Sequence, residues 1–145
     1  MRVVLGSDEK TSLTEAVAED LQARGHAVTM VGPPGGESLE WAAVGRKVGR
    51  AVASGEADTG VLFCWTGTGS SIAANKVLGV RAALCTDAVT AEGARKWNDA
   101  NVLVMSLRLT SSSVASEMLD RWFGARPDPS EAANIEALEG DHDVG

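Results

Sequence analysis

The sequence predicts an α/β protein in which five parallel strands lie between layers of helices. Three observations carry that expectation. Short apolar segments suited to strands alternate without a break with segments of helical periodicity. The strand segments are apolar on both faces, as strands covered by helices on each side must be. The chain has 145 residues, 44% of them hydrophobic, enough for one domain that buries about two-thirds of its unfolded surface.

Arg2 to Gly6 reads as the first buried strand. Ser12-Leu-Thr-Glu15 has the form of a capping box, and Leu13, Val17 and Leu21 follow at helical spacing until Gly25 ends the helix. Ala27 to Val31 is the second strand, closed by the loop Gly32-Pro33-Pro34-Gly35-Gly36. Trp41, Val44, Val48 and Val52 mark one face of a second helix that ends near Gly55. Thr59 to Cys64 forms the third strand, and Ser70 to Asn75 opens the third helix. Val80 to Cys85 is the fourth strand, with a helix from Asp87 to Trp97 behind it. Asn101 to Met105 is the fifth strand, and Ser112 to Phe123 the fifth helix, with Val114, Met118 and Trp122 on one side.

The body of the protein is expected over residues 1–124, with residues 125–145 as an arm and polar tail. In Asp128-Pro129-Ser130-Glu131 an acidic N-cap precedes a proline at the first helical position. A last short helix to Leu138 follows. Its few apolar residues leave two readings open, an arm docked on the body or on a partner subunit, and a plain surface helix.

In parallel α/β sheets ligands bind outside the carboxyl ends of the strands. Function is therefore sought in Ser7-Asp8-Glu9, Gly32 to Gly36, Cys64 to Ser71, Thr86-Asp87 and Ser106-Leu107-Arg108. The stretch from Val61 to Lys76, VLFCWTGTGSSIAANK, is the most informative. A strand ends on Cys64, Gly67 and Gly69 form a loop with Thr66, Thr68, Ser70 and Ser71 around them, and a helix begins. The N–H groups and positive dipole end of such a helix make an anion site, and Cys64 stands on its rim. The other reading of Cys64 is a small buried thiol filling space at a strand end.

The net charge of −7 argues against nucleic acid or an anionic membrane surface as a partner. No apolar run approaches the ~20 residues that span a bilayer, and the opening MRVVLGSD is too short in apolar residues for a signal peptide. A cytoplasmic protein is expected, with Cys64 and Cys85 as free thiols. Neither cysteine lies in a CxxC pair or a Cys/His cluster, and His26 and His142 are the only histidines, so no metal site is expected.

Four segments in order carry a resemblance over nearly the whole chain. They are Gly6-Ser7-Asp8, Cys64-Trp-Thr-Gly-Thr-Gly-Ser-Ser-Ile-Ala-Ala-Asn-Lys76, Gly79-Val-Arg-Ala-Ala-Leu-Cys85 and Asn98-Asp-Ala-Asn-Val-Leu103. On these the chain resembles the family of type B ribose-5-phosphate isomerases and galactose-6-phosphate isomerases. The resemblance implies a Rossmann-like three-layer α/β/α domain and a homodimer, or a tetramer, with active sites at the subunit interface. It also implies cofactor-free aldose–ketose isomerisation of a sugar or sugar phosphate through a cis-enediol. Such a reaction needs a base that moves a proton between adjacent carbons and donors for the charge that develops on oxygen. By resemblance Cys64 is the base, Thr66 the loop hydroxyl, and Asp8 the carboxylate that contacts sugar hydroxyls and the ring oxygen. Backbone N–H groups from Gly67 through Thr68, Gly69 and Ser70 to Ser71 would form the oxyanion pocket. Asn98 and Arg108 match substrate-contacting positions. Asp99 reads as ordering the turn before the fifth strand, Cys85 as a core thiol, and Lys76 as a support of the loop.

The chain departs from the family pattern at four places. Glu9 stands where a phosphate-contacting histidine is usual, and Trp97 where a histidine assists ring opening. Trp65 replaces a glycine beside the base, and Asp128 to Leu138 holds no lysine or arginine where the family arm carries arginines. Like-charge encounters with a phosphate in a partly desolvated site cost on the order of a kcal/mol each. The expectation is an isomerase of altered specificity, with Trp65 and Trp97 offering faces to a sugar ring and Glu9 facing the substrate. The alternative is a non-catalytic dimer that binds a sugar metabolite.

Overall fold

The computed structural model describes residues 1–140. Five strands, β1 (Arg2–Ser7), β2 (Ala27–Val31), β3 (Thr59–Cys64), β4 (Ala82–Leu84) and β5 (Val102–Ser106), form one sheet in the order β2-β1-β3-β5-β4. Every neighbouring pair is parallel. The helices are α1 (Ser12–Ala23), α2 (Trp41–Ala53), α3 (Thr68–Asn75), α4 (Ala88–Asn98), α5 (Ser112–Gly124) and α6 (Ala132–Leu138). The expected three-layer α/β/α fold is the fold observed.

Alternation along the central strands builds two cores. Val3, Leu5, Val61, Phe63, Leu103 and Met105 face α1, α4 and α5, where Leu13, Val17, Leu21, Met118, Leu119 and Trp122 meet them. Val4, Leu62, Val102 and Val104 face the other way, onto Val44, Val48, Val52 and Ala74 of α2 and α3. The edge strands depart from the expectation of full coverage. The β2 side chains are half-buried or exposed, and those of β4 are half-buried, because each edge strand has a neighbour on one side only.

Two local details differ from the sequence reading. The capping box of α1 is Thr11 with Thr14, not Ser12 with Glu15. The Thr11 hydroxyl accepts from the Thr14 N–H at 3.2 Å and the Thr14 hydroxyl from the Thr11 N–H at 2.9 Å. Glu15 instead faces Lys10 at 3.6 Å. β4 is shorter than Val80–Cys85 because side chains take over its backbone groups at the start. The Asn101 amide oxygen accepts from the Arg81 N–H at 2.7 Å, and the Asn75 amide pairs with both the N–H and C=O of Ala82, at 2.8 and 2.9 Å. Asn75 thus closes part of an open sheet edge. Asp99 orders the turn before β5 as expected, in a left-handed conformation (φ 46°) with Arg95 at 2.9 Å.

The arm lies against α4: the Asp128 N–H donates to the Lys96 carbonyl at 2.8 Å. Arg81 reaches Glu139 at 2.7 Å. Its turn begins as a short 3-10 segment, with the Asp128 carboxylate accepting from the Ser130 N–H at 2.9 Å. Most of the expected polar tail, residues 141–145, falls outside the described residues.

Candidate active site

The strand order has its switch point between β1 and β3, since β2 lies to one side of β1 and β3 to the other. A crevice therefore opens at the carboxyl ends of these two strands. Ser7 pairs with Phe63 in register, so Asp8 and Cys64 leave the sheet side by side. Cys64 is also in register with Ser106 at the end of β5. The sequence-predicted Asp8, Glu9, Cys64, Trp65, Thr66, Gly67, Thr68, Gly69, Ser70 and Ser71 gather here.

Cys64 is only 5% exposed. The Ser70 hydroxyl, itself fully buried, donates to its Sγ at 3.2 Å and lies 3.4 Å from the Gly67 carbonyl. A donor is already in place for a negatively charged sulfur. The Ser70 side chain thus faces inward to the thiol, while the expectation for Ser70 concerns its backbone N–H, which lies in the first turn of the helix.

The helix that supplies the N–H groups starts two residues earlier than Ser70, at Thr68, with Gly67 as its N-cap and no side-chain cap. Gly67 has φ +81°, a left-handed conformation that favours glycine, and a Cβ there would also push on the movable Leu84 Cδ1 at 2.5 Å. The first N–H groups of a helix have no carbonyl one turn earlier to receive them. Ser71 is the correction at the far end, since its N–H is taken by the Gly67 carbonyl at 3.1 Å. Thr66 and Thr68 are exposed on the rim, their hydroxyls 2.8 Å apart.

The loop backbone is held from β5. The Cys64 carbonyl accepts from the Leu107 N–H at 3.0 Å, and the Trp65 carbonyl from the Arg108 N–H at 3.1 Å and the Ser106 hydroxyl at 3.0 Å. Trp65 is thereby fixed in backbone while its indole is 60% exposed. Arg108 joins the same rim with an exposed side chain.

Asp8 is half-buried, and its Oδ1 is buried with no hydrogen-bond partner. Burial pushes its carboxyl above the usual carboxylate range, opposed by its own backbone N–H and reinforced by the charges of Glu9 and Glu40. Ser7 shapes this turn, its buried hydroxyl accepting from the Glu9 N–H at 3.1 Å. Among the described residues no three His, Cys, Asp or Glu side chains are grouped so as to hold a metal ion.

Two residues at the site escaped the sequence reading. Glu40, the N-cap residue of α2, lies close enough for its charge to act on Asp8. Helical spacing puts Trp41 on one face with Val44, yet it is 45% exposed and lies over the start of α3. A Cβ on Gly69 would come within 2.8 Å of its ring.

Trp97 and Asn98 are not brought to Cys64 within one chain. They end α4, which runs from the carboxyl ends of the strands back to their amino ends. Asn98 lines a cavity of about 410 Å³ there with Gly79, Arg81 and Ala100. Trp97 is 56% exposed in a groove with Leu84, Val89 and Gly93.

Moving a proton between neighbouring carbons requires a base and anchored donors at one point, and this crevice provides both, the arrangement of an aldose–ketose isomerase. The chain belongs to the Ribose/Galactose Isomerase family, whose family model matches residues 3–138. It is similar to ribose-5-phosphate isomerase B of Escherichia coli (strain K12), 38% identical over 114 residues, 79% of this chain and 76% of that protein. D-erythrulose-4-phosphate isomerase of Pectobacterium atrosepticum is 34% identical over 127 residues, 86% of this chain and 84% of that protein. The solved structure of Clostridium thermocellum ribose-5-phosphate isomerase B aligns with a TM-score of 0.89 at 38% identity, covering 96% of this chain and 95% of that one. The protein is an aldose–ketose isomerase of this sugar-phosphate isomerase family. Among the described residues no helix is long and apolar enough to cross a membrane.

Proposed function

We propose that the protein interconverts a small aldose and its ketose through a cis-enediol, with Cys64 carrying the proton between the first two carbons. The observation that carries this reading is the Ser70 hydroxyl 3.2 Å from Cys64 Sγ, at the start of a helix without a side-chain cap. The sulfur removes a proton from the carbon beside the carbonyl, and N–H groups at Gly67 to Ser70 hold the enediolate oxygen. The hydroxyl proton on that carbon passes to the enediolate oxygen as the same sulfur returns its proton to the former carbonyl carbon, which completes the ketose. Thr66 and Arg108 hold the substrate from the rim, and Asp8 and Glu9 meet its hydroxyls.

Trp97 and Asn98 act from a second copy of the chain in this reading. Their distance from their own Cys64, and the apolar side chains exposed beside them, support a homodimer with shared sites. Ile72, Leu78 and Val89 are each at least 60% exposed around β4, the open edge of the sheet.

The substrate is a sugar whose phosphate is absent or held differently from that of ribose 5-phosphate. Support comes from the carboxylates Asp8, Glu9 and Glu40 at the crevice and from an arm helix, AANIEAL, without a cation. The test is kcat/KM over a panel of ribose 5-phosphate, D-erythrulose 4-phosphate and the plain sugars, with wild type and Glu9→His. The substitution is expected to raise kcat/KM for ribose 5-phosphate about tenfold, the return of one charge contact. An unchanged value, with ribose 5-phosphate already the best substrate, would overturn the specificity reading. Failure of every sugar to react would overturn the isomerase reading.

A further inference from the structure

Ser70 is useful to Cys64 only at one distance, and part of what sets that distance lies outside the crevice, on α2. That helix has two buried glycines in its interior, Gly45 and Gly49. Glycine weakens a helix relative to alanine, so a buried glycine there calls for a reason in packing. A Cβ on Gly45 would lie 2.7 Å from the Ala73 Cβ and 2.8 Å from the Ser70 carbonyl oxygen. Neither atom can swing aside, since one is bonded to the backbone and the other belongs to it. In a close-packed interior the start of α3 itself would have to move.

Gly49, one turn further on, makes a looser contact. A Cβ there would meet Val77 Cγ2 at 3.0 Å and the Ala74 carbonyl oxygen at 3.2 Å, and a few tenths of an ångström relieve both. The two helices are therefore closest at the end of α3 that faces Cys64. Trp41, one turn before Gly45, lies over Gly69, where a Cβ would come within 2.8 Å of its ring. Gly69 and Ser70 are neighbours in the first turn of α3, and α2 holds both.

Resting on the reading of Cys64 as the base, we infer that Gly45 is a positioning residue for the proton transfer, keeping the Ser70 hydroxyl on the Cys64 sulfur. It has no side chain to reach the sulfur or a sugar. It acts through Ser70, whose carbonyl it faces and whose buried hydroxyl donates to Cys64 Sγ at 3.2 Å. A methyl group at position 45 displaces that carbonyl, and the hydroxyl moves with it, because one residue in a helical turn carries both.

The experiment is steady-state kinetics with the best sugar of the panel, with thermal melting of every variant. Gly45→Ala is expected to lose about tenfold in kcat with KM within about twofold, the pattern of a lost hydrogen bond that serves the transition state and not substrate binding. Gly49→Ala is expected to keep the kcat and KM of wild type. In the Ser70→Ala protein, adding Gly45→Ala is expected to cost less than about twofold in kcat, because the bond it breaks is already gone. Ala73→Gly removes the nearer clash, so the pair Gly45→Ala/Ala73→Gly is expected to fold even where Gly45→Ala alone does not. With the Ser70 carbonyl still in its way, the pair is expected to stay at least about threefold below Ala73→Gly in kcat. A folded Gly45→Ala protein with wild-type kcat would overturn the inference. So would an equal loss from Gly49→Ala, a full tenfold loss on adding Gly45→Ala to Ser70→Ala, or equal kcat for the pair and Ala73→Gly. Cys64→Ala as fast as wild type would instead overturn the reading of Cys64 as the base.

Discussion

Cys64 ends β3 and Cys85 directly follows β4, so each thiol stands at the carboxyl end of a parallel strand, a few residues before a helix. Their surroundings are opposite. Cys85 packs into the core with Ala91 and Ala94, and its Sγ meets the Ala83 carbonyl at 3.5 Å. Burial, with the charge of Asp87, pushes that thiol up to about 12. Asp87 is also the N-cap of α4, its carboxylate accepting from the Thr90 N–H at 2.7 Å. After Cys64 the N-cap is Gly67, with no side-chain cap, and a buried hydroxyl donates to the sulfur. One helix N-terminus carries its own acid and the other leaves its positive end for a ligand. The proposal of Cys64 as the base rests on that second setting.

The contrast is most sharply broken by alkylation of the native protein with iodoacetamide at pH 8, read by peptide mass spectrometry. With its thiol near 12, Cys85 holds about one part in ten thousand as thiolate at that pH. Cys64 is expected to react at least about 100-fold faster. Equal rates would mean that the helix start and Ser70 do nothing for the sulfur.

Gly67→Ala comes next, since it attacks the turn that aims α3 at Cys64. A left-handed φ and the approach of Leu84 together cost about 1–3 kcal/mol, and a displaced loop about 100-fold in kcat/KM. Thermal melting and turnover check the two parts separately. Ser70→Ala should lower kcat about tenfold with little change in KM, because it removes one hydrogen bond to sulfur and no contact with substrate. A change confined to KM would place Ser70 in substrate binding after all.

Asp87→Ala gives the smallest effect and probes the other member of the pair. The Thr90 N–H holds the Asp87 carboxyl below the usual carboxylate range near 3.8. A lowered folded value means that its stabilisation is full above that range and is lost as pH falls through the lowered value. Wild type should therefore melt slightly higher than Asp87→Ala at pH 7, and the difference should close in acid. A difference that persists in acid would show that capping charge is not its cause.

The layered fold and the strand, glycine loop and helix around Cys64 were legible in sequence because both are written in local patterns. Alternation of strand and helix segments sets the layers, and the position of Cys64 at the end of an apolar run sets the crevice. What escaped depends on neighbours across elements. Helical spacing put Trp41 on the same face as Val44, but that face ends at the first turn of α2, where α3 begins and the indole lies over Gly69. Glu40 reads as an ordinary residue before a helix, and only the packing of α2 against β1 brings its charge to Asp8. Ser70 is one of several loop hydroxyls in sequence, and its inward direction follows from where α3 starts. Trp97 and Asn98 carry motif positions to the far end of α4, a placement that motif spacing along the chain does not reveal.

The central claim is that Cys64 moves the proton between carbons. It is tested most directly by solvent deuterium incorporation into the best sugar of the panel, comparing wild type with Cys64→Ala at matched folded concentration. Wild type is expected to place deuterium at the reacting carbon, and Cys64→Ala to fall at least about 1000-fold, the loss expected when a general base is removed. Deuterium incorporated at the wild-type rate by Cys64→Ala would contradict the claim and assign proton transfer to another group.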